Sequence, residues 1–285
     1  TTVSTGFRAP TPGQGNISNI STVAGNDGVL FQKGTLAPTN PVSMVYGGKE
    51  LQPEESTNVS FGLVFDVTDS LNVTIDAYSI ELEDRITQGD DVSLTAADIA
   101  NLQAQGVPGA GDLTNFRFYV NDFDTTTEGI DLVATYSTEM GNGVTDFTFV
   151  HSKTTTEVDK TSGLVGGARI GQLESLLPES RWNLTAVHNS GDWRVLARYN
   201  WIDEWIWWDI YSSPVFSEIV DDMMTLDLEV SRDFGDYTLT LGAQNLTDEY
   251  PDNPASTLCC GMKYPEGSPF GFNGAFYYFK LGLDF

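Results

Sequence analysis

Few residues in this sequence have the types and spacing that catalysis or metal binding requires. The only histidines, His151 and His188, lie near the ends of different strand-like segments, and neither has a convincing partner beside it. Acid–base and nucleophilic catalysis need such partners within hydrogen-bond reach. A polar residue at a strand end is the more common role for such a histidine than a haem ligand. We therefore predict no catalytic residue, no metal site and no cofactor.

The two cysteines, Cys259 and Cys260, are adjacent. No histidine or third cysteine lies nearby to complete a zinc site. A disulfide is predicted, either within the pair or as a bridge from this loop to another part of the molecule. The acidic pairs Asp90–Asp91 and Asp221–Asp222 have the carboxylate oxygens that Ca²⁺ prefers. Such pairs are more often simply solvated loop residues, so they are not assigned as a metal site.

Aromatic and basic residues supply the candidates for ligand binding. Trp205, Trp207, Trp208 and Tyr211 concentrate in WIDEWIWWDIY (201–211). They could anchor the chain at a membrane interface, or form a stacking surface for sugar rings or an aromatic iron chelator. Arg194 and Arg198 share the polar face of one strand-like segment, where they could meet an anionic ligand or balance nearby carboxylates. We predict these residues as substrate-binding candidates.

The elements that must position these residues read as β-strands. The final segment FYYFKLGLDF (276–285) alternates strictly between an apolar and a polar face. The same alternation occurs in TNVSFGLVFDVT (57–68) and LNVTIDAYSIEL (71–82), and about ten such strands follow one another along the chain. The apolar face of the final strand consists of Tyr277, Phe279, Leu281, Leu283 and Phe285.

Composition excludes several classes of protein. The chain has 285 residues and a net charge of −26, which argues against nucleic acid as a partner. It has no run of about 18 apolar residues, so no transmembrane helix is predicted. The sequence has no signal peptide and begins at Thr1 without an initiator methionine, which suggests a mature product or a fragment.

The connections decide between a soluble sandwich and a membrane barrel. They alternate between two to five residues and about 16 to 45 residues, as in barrels with short periplasmic turns and long extracellular loops. The strands span 9–12 residues or more, which exceeds the usual length in sandwiches and suffices to cross a membrane. The apolar face carries almost no charge through its middle, whereas the opposite, lumenal face carries Asp66, Asp76, Asp131, Arg194, Arg198, Asp227, Glu229 and Lys280. We predict an all-β, antiparallel up-and-down transmembrane barrel.

Several stretches then resemble the C-terminal half of a TonB-dependent outer-membrane receptor. These are STGFRAPTPGQ (4–14), GGKELQPEESTNVSFGLVFDV (47–67), SIELEDRI (79–86), TTEGIDLVATYS (126–137), AQNLTDEYPD (243–252) and the terminal strand, in family order. SLTAADIANLQAQGV (93–107) resembles a helical insert of one branch of that family, with Thr95 as its N-cap. The resemblance covers essentially residues 1–285 and identifies the last strand as the one that closes the barrel.

The resemblance implies a 22-strand barrel of which this chain supplies about ten C-terminal strands, without the plug domain and the N-terminal strands. It implies an outer-membrane receptor of a Gram-negative bacterium that imports a scarce solute: an iron–siderophore, cobalamin, haem or an oligosaccharide. The implied partners are outer-membrane lipid, the rest of the receptor, the TonB-ExbB-ExbD system and a small-molecule ligand. The alternative is a passive porin-like channel. An outer-membrane enzyme and a soluble lectin sandwich fit less well.

Overall fold

The polypeptide forms one large antiparallel sheet, described here from a computed structural model. The structure describes residues 1–24, 28, 30–209, 216–252, 263–265, 268–269 and 271–283. Ten long strands lie side by side across the sheet in the order in which they occur along the chain. The predicted series of about ten long strands is therefore confirmed. The first and the last strand of this series each pair with one neighbour among the described strands, so the sheet is open.

The ten long strands are joined by tight turns at one end, the turn side, and by long segments at the other, the loop side. Their bounds are Thr2–Arg8 (β1), Glu54–Thr68 (β4), Leu71–Gln88 (β5), Asn115–Met140 (β7), Gly143–Thr161 (β8), Ser180–Ser190 (β9), Trp193–Ile202 (β10), Met223–Asp233 (β13), Tyr237–Gln244 (β14) and Phe276–Leu283 (β15). Gly191 and Gly235 make two of the tight turns with φ of 56° and 91°, which side chains with a Cβ rarely adopt.

The long segments hold more regular structure than the sequence predicts. They contain the strands Asn19–Ala24 (β2), Leu30–Leu36 (β3), Val92–Ser93 (β6), Trp205–Asp209 (β11) and Phe216–Val220 (β12), and the helices Pro12–Asn16 (α1), Pro41–Val45 (α2), Ala96–Ala104 (α3) and Gly167–Ser175 (α4). The sequence predicts loops over 9–55, 84–115, 153–179 and 203–221, and this prediction is wrong in detail. β5 and β8 extend beyond the predicted strands because their outer ends pack against these segments.

Helix α3 forms where the sequence predicts it. The Thr95 side chain accepts a hydrogen bond from the Asp98 amide, and the Asp98 carboxylate accepts one from the Thr95 amide. This reciprocal pair is a capping box, which satisfies amides that the first helical turn leaves without partners. The hydrogen bonds from Thr95 lower the pKa of Asp98 below its ordinary value. None of the helices among the described residues is long and apolar enough to span a membrane.

The two faces of the long strands differ in chemistry, as predicted. Registered pairs place Leu239 beside Leu281 and Leu241 beside Phe279 on the outward face. Large apolar side chains on this face are exposed along most strands, among them Phe61, Leu63 and Phe65 of β4. The inward face carries Asp227 opposite Arg198, and Asp76 opposite Asp131. An outward face of this kind suits hydrocarbon, because no protein element covers it in the described structure.

On the loop side the apolar residues form a protein core instead. Phe116, Phe118, Val120 and Phe123 of β7 are buried with Leu36, Val42, Leu94, Leu102, Ala110, Leu113 and Val165. We call this cluster and the segments that carry it the cap. β3 joins the cap by pairing in parallel with β7, from Lys33 beside Asn115 to Leu36 beside Phe118. Residues contributed by three separate long segments thus fold into one unit above the sheet.

An irregularity in β7 separates the wall from the cap. Arg85 pairs with Phe123 and the next residue, Ile86, pairs with Asn121, so Asp122 is an extra residue on β7. Such a bulge interrupts the alternation of the strand. The Asp122 carboxylate accepts hydrogen bonds from the Ser162 and Val165 amides and from the hydroxyls of Thr161 and Ser162. The bulge therefore turns Val120, Phe118 and Phe116 inward and fastens the connection after β8.

Candidate ligand-facing wall and its mouth

A polar network on the inward face joins strands from β10 to β15. The Arg194 guanidinium donates to Glu229 at 2.7 Å, the Tyr278 hydroxyl donates to the same carboxylate at 2.7 Å, and Lys280 lies 3.2 Å from it. Tyr278 reaches Glu229 by lying across Gly242, where a Cβ would collide with the tyrosine ring. The predicted ligand-binding Arg194 is thus already paired with a carboxylate of the wall.

Arg198 lies four residues farther along β10 than Arg194, towards the loop side. Its Nε donates to the Thr185 hydroxyl at 2.9 Å, and its cross-strand neighbour is Asp227. Asp227 accepts from the Asn245 amide at 2.9 Å and from the Asn200 side chain at 3.2 Å. Arg198 is an exposed residue on the inward face. A part in substrate binding stays a prediction for both arginines.

The predicted aromatic surface is largely used for packing. Trp205 and Trp207 are 3% and 6% exposed and pack with Val220, Leu176 and Phe216. The Trp207 and Phe216 rings meet edge to face at 5.6 Å. In the conformation described, the ring faces of both tryptophans are therefore inaccessible to a ligand. Their role as ligand contacts stays a prediction that requires the hairpin β11–β12 to rearrange.

Trp208 faces the other side of the same hairpin. Its indole Nε1 donates to the Ser175 hydroxyl at 3.0 Å, and the Gln172 side chain donates to the Trp208 carbonyl at 3.3 Å. The ring fills a space beside Gly171, where a Cβ would collide with it. Trp208 therefore attaches the β11–β12 hairpin to α4. The fourth aromatic candidate, Tyr211, lies outside the described residues.

Two adjoining pockets lie at the loop-side end of the inward face, and we call them the mouth. The larger, of about 490 Å³, is lined by Asn200, Ile202, Met223, Thr225, Asp227, Gln244, Asn245, Pro269, Gly271, Asn273, Gly274 and Phe276. The smaller, of about 270 Å³, lies between α4 and the wall and shares Ile202 and Pro269 with the first. The volume of the larger pocket lies within the range of small-molecule sites, about 300–1,000 Å³.

The residues of the mouth are not predicted from the sequence. Gln244, Asn273 and Phe276 are exposed to it, yet a strand pattern gives them no functional signal. The available clue was AQNLTDEY, which predicts a sharp change of direction after β14. In the structure the Asn245 side chain bonds both backbone groups of Glu249, and Asp248 accepts from the Ala275 amide at 2.8 Å. These bonds hold the edge of the mouth in place.

Three of the family-like motifs meet at the loop-side end of β4. Glu54 of the Leu-x-Pro-Glu motif is 6% exposed and accepts from Arg8 and from the Ile86 amide at 2.7 Å. Burial disfavours the charged carboxylate, but these bonds and the Arg8 charge outweigh it and lower the pKa of Glu54 below its ordinary value. Burial also lowers the pKa of the nearby Arg85 guanidinium. The motifs therefore act structurally, by joining β1, β4 and β5.

The two histidines lie at opposite ends of the paired region of β8 and β9. His151 forms a hydrogen bond with the Ser180 hydroxyl at 2.9 Å, and His188 forms one with the Thr145 hydroxyl at 2.8 Å. Both therefore serve as polar strand residues. Asp91 pairs with Lys33. Within the described ranges no cluster of three His, Cys, Asp or Glu residues could hold a metal ion. Cys259, Cys260 and Phe285 lie outside the described residues.

The described part of the terminal signature lies on the last strand, β15. Tyr277, Phe279, Leu281 and Leu283 are exposed on the outward face of β15, in register with alternate residues of β14 from Ala243 to Tyr237. That β15 closes a barrel stays a prediction, because its second edge has no partner among the described strands.

Comparison with known proteins agrees with this architecture. The family model described as "TonB dependent receptor-like, beta-barrel" matches residues 1–246. A search of curated proteins gives no match. Among solved structures, the pyoverdine outer membrane receptor FpvA from Pseudomonas aeruginosa PAO1 is 14% identical, with a TM-score of 0.56 over 84% of this chain and 31% of that one.

Two further structures share the fold. The copper transporter OprC is 15% identical, with a TM-score of 0.54 over 99% of this chain and 36% of that one. The ferric enterobactin receptor PfeA from Pseudomonas aeruginosa is 15% identical, with a TM-score of 0.53 over 87% of this chain and 32% of that one. The chain thus spans about a third of the length of these structures, and at such identities the likeness concerns the fold alone.

Proposed function

This chain belongs to the TonB-dependent receptor-like β-barrel family, and from that premise we propose that it is the C-terminal part of the barrel wall of an energised importer. As a member of that family it is a transport protein of the Gram-negative outer membrane and not an enzyme. The absent parts would be the plug domain and the N-terminal strands of the same receptor. The long segments of the loop side would then face the exterior.

The observation that carries this proposal is that both outermost strands of a two-faced sheet have an edge without a partner among the described strands. An open sheet edge within the hydrocarbon region leaves backbone groups without hydrogen bonds, which costs several kcal/mol for each group. Further strands between β15 and β1 would remove both edges and complete a barrel. The family implies a plug inside that barrel and contact with the TonB-ExbB-ExbD system in the periplasm. It implies a small-molecule ligand on the exterior.

Depletion of medium solutes by whole cells tests energised import even while the solute is unidentified. Wild-type cells, cells that lack the receptor gene and cells that lack TonB would be grown in the same medium, which is then analysed by mass spectrometry. The proposal predicts at least one solute that only the wild type depletes. Depletion that needs the receptor but not TonB would contradict energised import and support a passive porin-like channel.

A further inference from the structure

We propose that the mouth binds an uncharged, polyhydroxylated ligand, an oligosaccharide rather than an anionic iron chelate. This inference rests on the proposed function, because it names the class of solute that the importer would take. It begins from the larger pocket of the mouth, whose volume of about 490 Å³ could accommodate one or two sugar rings.

The polar groups that line this pocket are mainly neutral amides and hydroxyls. Asn200, Thr225, Gln244 and Asn273 line it beside a single carboxylate, Asp227, and none of its described lining residues is cationic. The smaller pocket of the mouth adds one cation, Arg181, beside the two carboxylates of Glu174 and Glu179. In the described structure the side chains of Gln244 and Asn273 form no hydrogen bond with the protein. A side-chain amide offers a donor and an acceptor together. That pairing matches the neighbouring hydroxyl groups of a sugar, each of which also donates and accepts.

The fixed part of the pocket orients the remaining acceptors. The Asn200 amide group donates to Thr225 and Asp227 at 3.2 Å each, which leaves its carbonyl oxygen directed away from those bonds. The backbone amide of Asn245 donates a hydrogen bond to the Asp227 carboxylate at 2.9 Å. Such bonds keep a carboxylate and an amide in place before the ligand arrives, which lowers the ordering cost of binding.

Phe276 supplies an apolar surface beside these groups. This residue is 57% exposed although it begins β15 on the inward face, next to Gln244. Its ring is stacked on that of Tyr278, with 6.1 Å between the ring centroids. An exposed aromatic ring next to the Gln244 amide suits the apolar face of a pyranose ring, with the hydroxyl groups directed towards the amides.

The charge of the wall disfavours an anionic ligand. The inward face of the described strands bears the carboxylates of Asp66, Asp76, Asp131, Asp146, Asp227 and Glu229, which outnumber the cations of Arg181, Arg194, Arg198 and Lys280. Glu229 also contacts two of those four cations, Arg194 and Lys280. Sites for anionic chelates typically have a surplus of arginine or lysine that attracts the ligand. The described wall lacks that surplus.

A binding experiment on the full-length receptor tests the ligand class. The purified receptor in detergent is titrated calorimetrically with neutral α- and β-linked glucose, mannose and xylose hexasaccharides, and with an anionic ferric tris-catecholate. We expect at least one hexasaccharide to bind and the chelate not to bind. The double variant Gln244→Ala/Asn273→Ala should weaken sugar binding at least tenfold, and Phe276→Leu about three- to tenfold.

The matched control is Asn58→Ala, which removes an amide from the inward face of β4, in register with Ser4 and Ile80 and outside the pocket. It should change sugar affinity by less than twofold. Failure of every hexasaccharide to bind would overturn the inference, whether or not the chelate binds. Sugar binding that the pocket variants leave unchanged would also overturn it. Dependence of solute depletion on TonB is a separate result, so energised import can stand when the ligand class fails.

Discussion

The two halves of β7 place their large side chains in opposite directions. In the half that crosses the membrane, Ile130 and Tyr136 face outward and are exposed. In the half beyond it, Phe116, Phe118 and Val120 face inward and are buried. The chain direction is the same throughout, and the extra residue Asp122 lies between the halves. The bulge at Asp122 therefore lets even-numbered residues of one strand face lipid along one half and pack into the core of the cap along the other.

The two halves of β7 are also stabilised by different interactions. The membrane half is held by continuous pairing with β5 and β8 and by an outward face that suits hydrocarbon. The outer half is held by a core of the kind found in water-soluble domains, where burial of apolar area supplies the stability. Mutations that test burial and mutations that test lipid exposure should therefore affect different regions of the molecule.

The largest effect is expected for Phe116→Ala. Phe116 is completely buried, with its ring 5.5 Å from Tyr46 and 6.1 Å from Phe118. Removal of such a ring costs about 3–5 kcal/mol through lost contacts and a cavity. Hydrogen exchange should speed up across the cap and leave the wall strands β13 and β14 unchanged. Equal acceleration in the wall would contradict the separation of the two halves.

The next effect concerns the outward face, with adjacent residues of β4 as test and control. Leu63→Arg introduces a charge on the lipid side, and Val64→Arg introduces the same charge on the inward side. A charge near the middle of the bilayer should lower the free energy of unfolding by about 2–4 kcal/mol at Leu63 and by much less at Val64. Urea titration of the receptor in liposomes measures both. Equal losses would mean that the two faces are not solvated differently.

Acid should weaken the junction of β1, β4 and β5. The pKa of Glu54 is lowered from its ordinary value of 4.5. The ionised carboxylate therefore adds stability above the unfolded-state pKa, and this contribution is lost as the pH falls through the folded-state pKa. Glu54→Gln should cost about 1–3 kcal/mol near neutral pH.

The check for Glu54 is the thermal midpoint of wild type and Glu54→Gln as a function of pH. The difference between them should be constant from neutral pH down to about 5 and should shrink below that. A difference that persists unchanged at low pH would show that the Arg8 and Ile86 contacts do not require the ionised carboxylate.

The smallest effect is expected at the start of α3. Thr95→Ala removes the side chain that accepts from the Asp98 amide, and loss of such a cap typically costs about 1 kcal/mol. Thr95→Ser keeps the hydroxyl and serves as the control. Amide exchange of residues 96–99 should speed up about fivefold in the alanine variant alone. Identical exchange in both variants would show that packing of Leu102 determines the helix.

The wall could be predicted from the sequence because its rules are local. The period of two, the tight turns and the alternating connection lengths depend on neighbouring residues. Apart from the loop-side ends of β5 and β8, the structure has the predicted strands within a few residues. The Thr95 N-cap is local in the same way. The sequence pattern ends β5 and β8 too early, because their extensions depend on partners in the cap.

The cap and the mouth could not be predicted, because they depend on contacts between distant segments. Leu36 and Val165 meet only after three long segments have folded over β7. The Asp122 bulge has no signature in a strand that reads as polar at that point. The tryptophans of WIDEWIWWDIY are predicted as ligand contacts because nothing in the sequence indicates Leu176 and Val220 as the residues that bury Trp205 and Trp207.

Spin-label accessibility along β7 tests the central claim most directly. Single cysteines at positions 116, 118, 120 and 129–136, in a full-length receptor with Cys259 and Cys260 replaced by serine, would be labelled in liposomes. We predict oxygen access at 130, 132, 134 and 136, which face the lipid. Labels at the odd-numbered positions from 129 to 135 should have low oxygen access. Labels at 116, 118 and 120 should be inaccessible both to oxygen and to a water-soluble relaxation agent. Access of the water-soluble agent to 130–136 at even positions would contradict the account.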